Sequence, residues 1–245
     1  MRYLCVVEYD GTNYAGWQIQ PNALSIQEVI EETLSKILNN PTKIYGSGRT
    51  DAKVHAYGQT FHFDAKEITD LDRFKYSLNK VLPEDIVIKS IERVSDDFNA
   101  RISSISKTYL YVLNIGEYDP FNRNYVTQCY KEIDLDAIKE ASKLFVGKHN
   151  FQNFTSKDED DDNFVREIFN IDIKEEDKIV SFVFEGNGFM RYMIRFIVGT
   201  LLQVGLGKLS VNEVKAMIDS KERNISSYKA EPQGLYLLRV NYKKK

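Results

Sequence analysis

"GQTFHFDAKEITDLDRFKYSLNKVLPEDIVIKSIERV", Gly58 to Val94, changes its apolar period twice, and that change decides the fold class. Phe61 and Phe63 alternate with their neighbours, as one face of a strand requires. From Thr69 to Leu82 the spacing becomes helical, until Pro83 stops it. Asp85 to Val94 alternates once more. Towards the N-terminus, "TKIYGSG" is a short strand and "LSIQEVIEETLSKIL" an amphipathic helix. Ser25 and Glu28 form its capping box, and Ile26, Val29, Ile30, Leu34, Ile37 and Leu38 its apolar stripe. "RYLCVVEYD" opens as a strand. The order is β-α-β-β-α-β, the ferredoxin-like pattern.

Towards the C-terminus a similar order follows. "KTYLYVLNI" is a strand, and "DLDAIKEASKLFVG" a helix ended by Gly147. "VREIFNIDIKEE" and "KIVSFVFEG" form a hairpin, and "FMRYMIRFIVGTLLQVG" a long apolar helix. "SVNEVKAMID" carries a capping box at Ser210 and Glu213, and "GLYLLRVNYK" closes as a strand. The boundary falls near "ARISSISK", Ala100 to Lys107. The expectation is an α+β protein of two ferredoxin-like halves, 1–104 and 105–245. Each half has an antiparallel sheet with helices on one face, and a groove lies between them.

At 245 residues and 42% hydrophobic composition the chain can bury a substantial core. Its longest apolar run, "FIVGTLLQVGLG", is short for a membrane span and broken by glycines. The opening "MRYLCVVEYDG" enters a strand pattern directly and carries no secretory signal. Cys5 and Cys129 are far apart and outside any CxxC, which suits a reducing cytoplasm and argues against structural zinc. A net charge of −3 is unusual for a nucleic-acid-binding protein. However, "KDEDDD", Lys157 to Asp162, holds five acids, and without them the balance would be +2. We read it as a solvated loop that leaves the rest of the chain able to form a basic cleft.

The chemistry concentrates in "YGSGRTDAKVHA", Tyr45 to Ala56. A dinucleotide-binding reading fails because Asp51 stands where the third glycine belongs, and no GK[ST] follows for a P-loop. His55 and His62 match no metal-ligand spacing, and His149 is remote, so no metal is expected. Ser47, His55 and Asp51 lack the context of a nucleophile elbow. Two readings remain. Asp51 either satisfies backbone amides in a turn, or is presented for chemistry by a loop that glycines at 46 and 48 bend through unusual dihedrals.

"GSGRTDAKVHAYGQTFHF" resembles the catalytic signature of the TruA-type tRNA pseudouridine synthases. "VEYDGTNYAGWQIQP", "SIQEVIEETL", "DDFNAR" before "KTYLYVL", "NGFMRYMIRFIVGTLLQVG" and "GLYLLRV" extend the resemblance, in order, over almost the whole chain. It implies isomerisation of uridine to pseudouridine at positions 38 to 40 of the tRNA anticodon arm. It further implies no cofactor, a homodimer, and a cytoplasmic setting without membrane contact. By resemblance Asp51 is the catalytic carboxylate, Arg195 its basic partner, Tyr109 the tyrosine packing on the target base, and Arg49 the arginine that displaces the nucleotide. His55 becomes support for the loop.

The chemistry suits those residues. A nucleophile is needed, and an ionised carboxylate supplies one. A guanidinium at Arg195 would favour the charged form of Asp51. The target must leave its stack, at roughly a few kcal/mol, part of which Arg49 can offset by filling the space. Tyr109 offers a flat face and a hydroxyl. "HNFQNFT", "GFMRYMIR", "AEPQGLYL" and the acidic loop depart from the common pattern and could line the cleft and choose the substrate. Ribosomal RNA is therefore an alternative target. A non-catalytic RNA-binding module has no use for an acid in its cleft, and an aspartate-dependent hydrolase would want a second carboxylate or metal beside Asp51.

Overall fold

A computed structural model describes residues 1–156 and 163–243, so the acidic stretch 157–162 lies outside the described residues. In chain order the regular elements are β1 (Arg2–Tyr9), α1 (Ile26–Leu38), β2 (Ile44–Gly46), β3 (His55–Asp64), α2 (Leu71–Val81), β4 (Ile86–Val94) and β5 (Ser104–Asn114). There follow β6 (Thr127–Gln128), α3 (Leu135–Ser142), β7 (Gly147–Asn150), β8 (Val165–Glu176), β9 (Ile179–Gly186), α4 (Met193–Gly205), α5 (Val211–Asp219) and β10 (Leu235–Tyr242). The protein is mixed α+β. Its contacts divide into one unit of Met1–Ile105 with Tyr236–Lys245 and another of Ser106–Leu235.

In the first unit the strands run β4-β1-β3-β10, with β2 also paired to β3. β1 is antiparallel to both β3 and β4, β2 is antiparallel to β3, and β10 joins β3 in parallel at Tyr236↔His55 and Leu237↔Ala56. Phe61 and Phe63 of β3 are fully buried, but Gln59, Thr60 and His62 are buried as well, so the strand is covered almost throughout rather than alternating. α1 turns Ile26, Ile30 and Leu34 inward and is capped by Ser25, whose side chain accepts from the Glu28 amide at 3.2 Å. α2 is capped by the Asp70 side chain, which accepts from the Arg73 amide, and it buries only Leu78.

In the second unit β5-β9-β8-β7 form an antiparallel order, with β6 parallel to β5. β8 and β9 make the expected hairpin, turned by Asp177 and Lys178, both at positive φ (49° and 64°). Two positive φ values suit the right-handed twist of the strands they connect. At α5 both arms of the Ser210–Glu213 capping box are present.

Two helices are shorter than their apolar spacing predicts. α3 ends at Ser142 and gives way to a 3-10 turn, after which Gly147, at φ +107°, opens β7. α4 begins at Met193 rather than Phe189, because Tyr192 sits at φ 61°, outside helical geometry.

Candidate active site

Asp51 lies on the loop between β2 and β3, half-buried, with Arg49 exposed two residues before it. The loop is held mainly by backbone. The Ser47 amide donates to the Thr60 carbonyl (2.8 Å), the Trp17 amide to the Thr50 carbonyl (3.1 Å), and the Val54 amide to the Asp51 carbonyl (3.2 Å). Four buried side chains complete the support. The Thr50 and Tyr9 hydroxyls are hydrogen-bonded at 2.7 Å. Gln59, fully buried, accepts from the Ser47 hydroxyl (2.8 Å) and donates to the Gly48 carbonyl (2.9 Å). With polar groups satisfied on both sides, the loop cannot shift without leaving one of them unpaired.

The glycines act differently from expectation. Neither Gly46 nor Gly48 is at positive φ; the left-handed residue of this loop is Lys53, at φ 64°. Gly46 is required by space, since a β-carbon there would stand 2.5 Å from the Trp17 indole nitrogen. The glycines that shape the site lie on the segment after β1. A β-carbon on Gly11 would meet the Val54 carbonyl oxygen at 2.1 Å, and one on Gly16 the Thr50 carbonyl oxygen at 2.5 Å. Gly16 is also at φ +99°. Sequence reasoning passed over both, although their place in "DGTNYAGW" was a signal.

His55 supports the loop. It is buried, its Nδ1 accepts from the Gly11 amide at 3.1 Å, and its ring stacks on Tyr236 at 4.8 Å. His62 accepts from the Ala100 amide through Nδ1 at 3.2 Å. Burial is the main cause lowering its pKa, with Arg2 adding to it.

In the second unit Tyr109 is buried on β5, with its ring edge-to-face on Phe189 at 5.3 Å. Tyr111, on the same face of the strand, is structural. Its hydroxyl is bonded to the Thr127 hydroxyl (2.7 Å) and donates to the Glu231 carbonyl (3.0 Å), and burial pushes its pKa up. Arg195 is buried on α4, where Nε donates to the Ala230 carbonyl at 2.7 Å and its own carbonyl accepts from the Ala230 amide at 2.9 Å. Close approach makes that pair of hydrogen bonds possible, because a β-carbon on Gly199 would collide with the Tyr228 carbonyl oxygen. The Arg195 guanidinium stands 5.3 Å from the Tyr192 ring centre. Tyr109 and Arg195 are thus tied to one turn, residues 187–192.

"HNFQNFT" is core and scaffold. Phe151 and Phe154 are fully buried, Asn153 donates to the Met217 carbonyl and accepts from the Asn224 amide, and Gln152 donates to the Ser220 carbonyl. These contacts occupy side chains that the sequence offered for choosing a substrate.

A family model described as tRNA pseudouridine synthase matches residues 5–101 and 141–243. The chain belongs to this family. The tRNA pseudouridine synthase A of an Exiguobacterium species is 39% identical over 243 residues, spanning 99% of this chain and 98% of that protein. That of Streptococcus uberis is 40% identical over 248 residues, spanning 100% and 99%. The tRNA pseudouridine synthase A 1 of Protochlamydia amoebophila is 42% identical over 245 residues, spanning 98% and 96%. A chain of a solved Cbf5-Nop10-Gar1 complex shows a looser likeness, with 14% identity and a TM-score of 0.40 over 98% of this chain and 59% of that one. As a tRNA pseudouridine synthase family member, the chain carries the arginine and aspartate of its G-R-T-D-A-x-V-H segment on the backbone-braced loop of the first unit and the histidine at the start of β3.

Proposed function

We propose that this protein isomerises uridine to pseudouridine in tRNA, at positions 38 to 40 of the anticodon arm. The carrying observation is the near-full-length identity of about 40% to proteins named for that activity, with Asp51 on a loop that backbone bonds hold in place. The reaction breaks N1–C1′, turns the uracil, and joins C5 to C1′. The C5 proton leaves, N1 takes one up, and nothing is oxidised or hydrolysed. Asp51 is the catalytic carboxylate, Arg195 pairs with it, Arg49 displaces the nucleotide, and Tyr109 packs on the uracil.

The remaining parts of the proposal follow the same resemblance. The two units are ferredoxin-like halves, supported in the first by its β4-β1-β3 order with β2 on β3. A basic cleft receives the RNA, the protein acts as a homodimer, and it works in the cytoplasm. Among the described residues, no helix is long and apolar enough to cross a membrane.

Loss of the C5 proton supplies the assay, because tRNA carrying tritium at C5 of uridine releases it to water on isomerisation. Asp51→Asn is expected to bind tRNA with wild-type affinity and to release tritium at least about 10³-fold more slowly, a loss of about 4 kcal/mol of transition-state stabilisation. Near-wild-type release by this variant overturns the role of Asp51. Mapping pseudouridines in tRNA and ribosomal RNA after deletion of the gene tests the substrate; a change confined to ribosomal RNA overturns the tRNA assignment.

A further inference from the structure

"GFMRYMIR", which departs from the family pattern, meets Lys229, the residue just before the departing "AEPQGLYL", at one aromatic ring. The Arg191 guanidinium is 4.9 Å from the centre of the Tyr192 ring, the Lys229 ammonium 4.6 Å, and the Arg195 guanidinium 5.3 Å. Arg191 also donates to the Tyr192 hydroxyl at 3.1 Å. The turn is fixed from beneath, where the Arg191 carbonyl accepts from the Thr155 hydroxyl (3.0 Å) and the Ser156 amide (3.4 Å). Lys229 is fixed by its neighbour Ala230, which makes two hydrogen bonds with Arg195.

Arg191 and Lys229 are exposed, and among the described residues neither forms an ion pair with a carboxylate. The negative face of the ring holds these cations without neutralising them. Like charges gathered this way repel one another, and an incoming anion removes that cost.

We propose that Arg191 and Lys229, arranged by Tyr192, form a clamp for a backbone phosphate of the substrate RNA beside Arg195. The clamp rests on the assignment of an RNA substrate given above. It acts through charge and is indifferent to base identity, so it positions the strand and takes no part in bond making. Arg191 and Lys229 are positioning residues.

The test measures binding of an unmodified tRNA transcript across salt concentration, with tritium release followed in parallel. Each phosphate contact contributes roughly 0.7 to 1 to the slope of log affinity against log salt. Arg191→Gln with Lys229→Gln is expected to make that slope shallower by about one to two. At low salt KM should rise about tenfold, with the loss falling on KM rather than kcat. Arg191→Lys, which keeps the charge, should restore the slope of its site, and it also serves if the double variant folds poorly. A slope equal to wild type in the double variant overturns the clamp, as does an Arg191→Lys slope as shallow as that of Arg191→Gln. Failure of the activity itself looks different: wild-type protein would then release no tritium, whereas the slopes need no turnover.

Discussion

Around Asp51 the polypeptide is held by backbone hydrogen bonds and by the buried side chains of Thr50, Tyr9 and Gln59. Ahead of α4 the arrangement differs: Arg191, Arg195 and Lys229 converge on the Tyr192 ring, and Tyr192 itself lies outside helical geometry. The first region presents a single carboxylate from a loop bolted to Trp17, Thr60 and Gln59. In the second, Arg191 and Lys229 are exposed side chains with the freedom to follow a flexible polyanion. A reacting group needs placement within a fraction of an ångström, whereas a phosphate contact tolerates more, and the roles proposed for Asp51 and for Arg191 with Lys229 differ in the same way.

If that contrast is right, the largest effect among scaffold changes falls on the glycine beneath the Asp51 loop. Gly16→Ala adds a β-carbon 2.5 Å from the Thr50 carbonyl oxygen and 2.9 Å from the Asp51 carbonyl carbon, at φ +99°. The loop must move. We expect kcat to fall about 10²-fold, as for a displacement on the order of 1 Å, and stability to fall by about 1–3 kcal/mol. Trp17, the single tryptophan, donates its amide to Thr50 and gives a direct readout. Its emission should shift in step with the loss of kcat. Wild-type kcat with unchanged emission would show that the loop is not braced from this side.

A smaller effect is expected at Gln59. Gln59→Leu keeps approximate volume but strands the Gly48 carbonyl and removes the acceptor of the Ser47 hydroxyl, at a cost of about 1–3 kcal/mol. Denaturant unfolding measures it. The salt slope of RNA binding should stay at the wild-type value, because no cation is touched. A shallower slope in this variant would blur the division between the two regions.

Much of this was legible in the sequence, and the reason differs by element. Pattern alone finds α1, because Ile26, Ile30 and Leu34 are buried at helical spacing, and it finds β3 from Phe61 and Phe63, although their neighbours Thr60 and His62 are buried too. Asp51 is found by resemblance, since its loop chemistry also fits an ordinary turn. Gly11 and Gly16 were missed because their reason lies across space, in the backbone of Thr50 to Val54. The start of α4 was misjudged because apolar spacing continues through residues 189–192 while the backbone does not. Lys229 meets Tyr192 only through Gly199 and the Ala230 bonds, and no local pattern encodes that meeting.

The smallest predicted effect separates the regions by pH. His62 in the first unit has a pKa lowered from 6.5, chiefly by burial and then by Arg2, with Asp64 opposing. Its Nδ1 accepts from the Ala100 amide, a bond that protonation there would turn into a clash of two donors. Below the unfolded value the unfolded chain binds more protons at this site than the folded one. The His62 contribution is therefore complete above about 6.5 and is lost as pH falls towards the lowered folded value. Thermal melting of wild type should weaken between pH 7 and pH 5 more than that of His62→Gln, which has no proton to take up. Equal pH slopes for the two proteins would remove His62 as the cause. Arginine and lysine stay charged throughout this range, so the salt slope contributed by Arg191 and Lys229 should not follow the melting curve down.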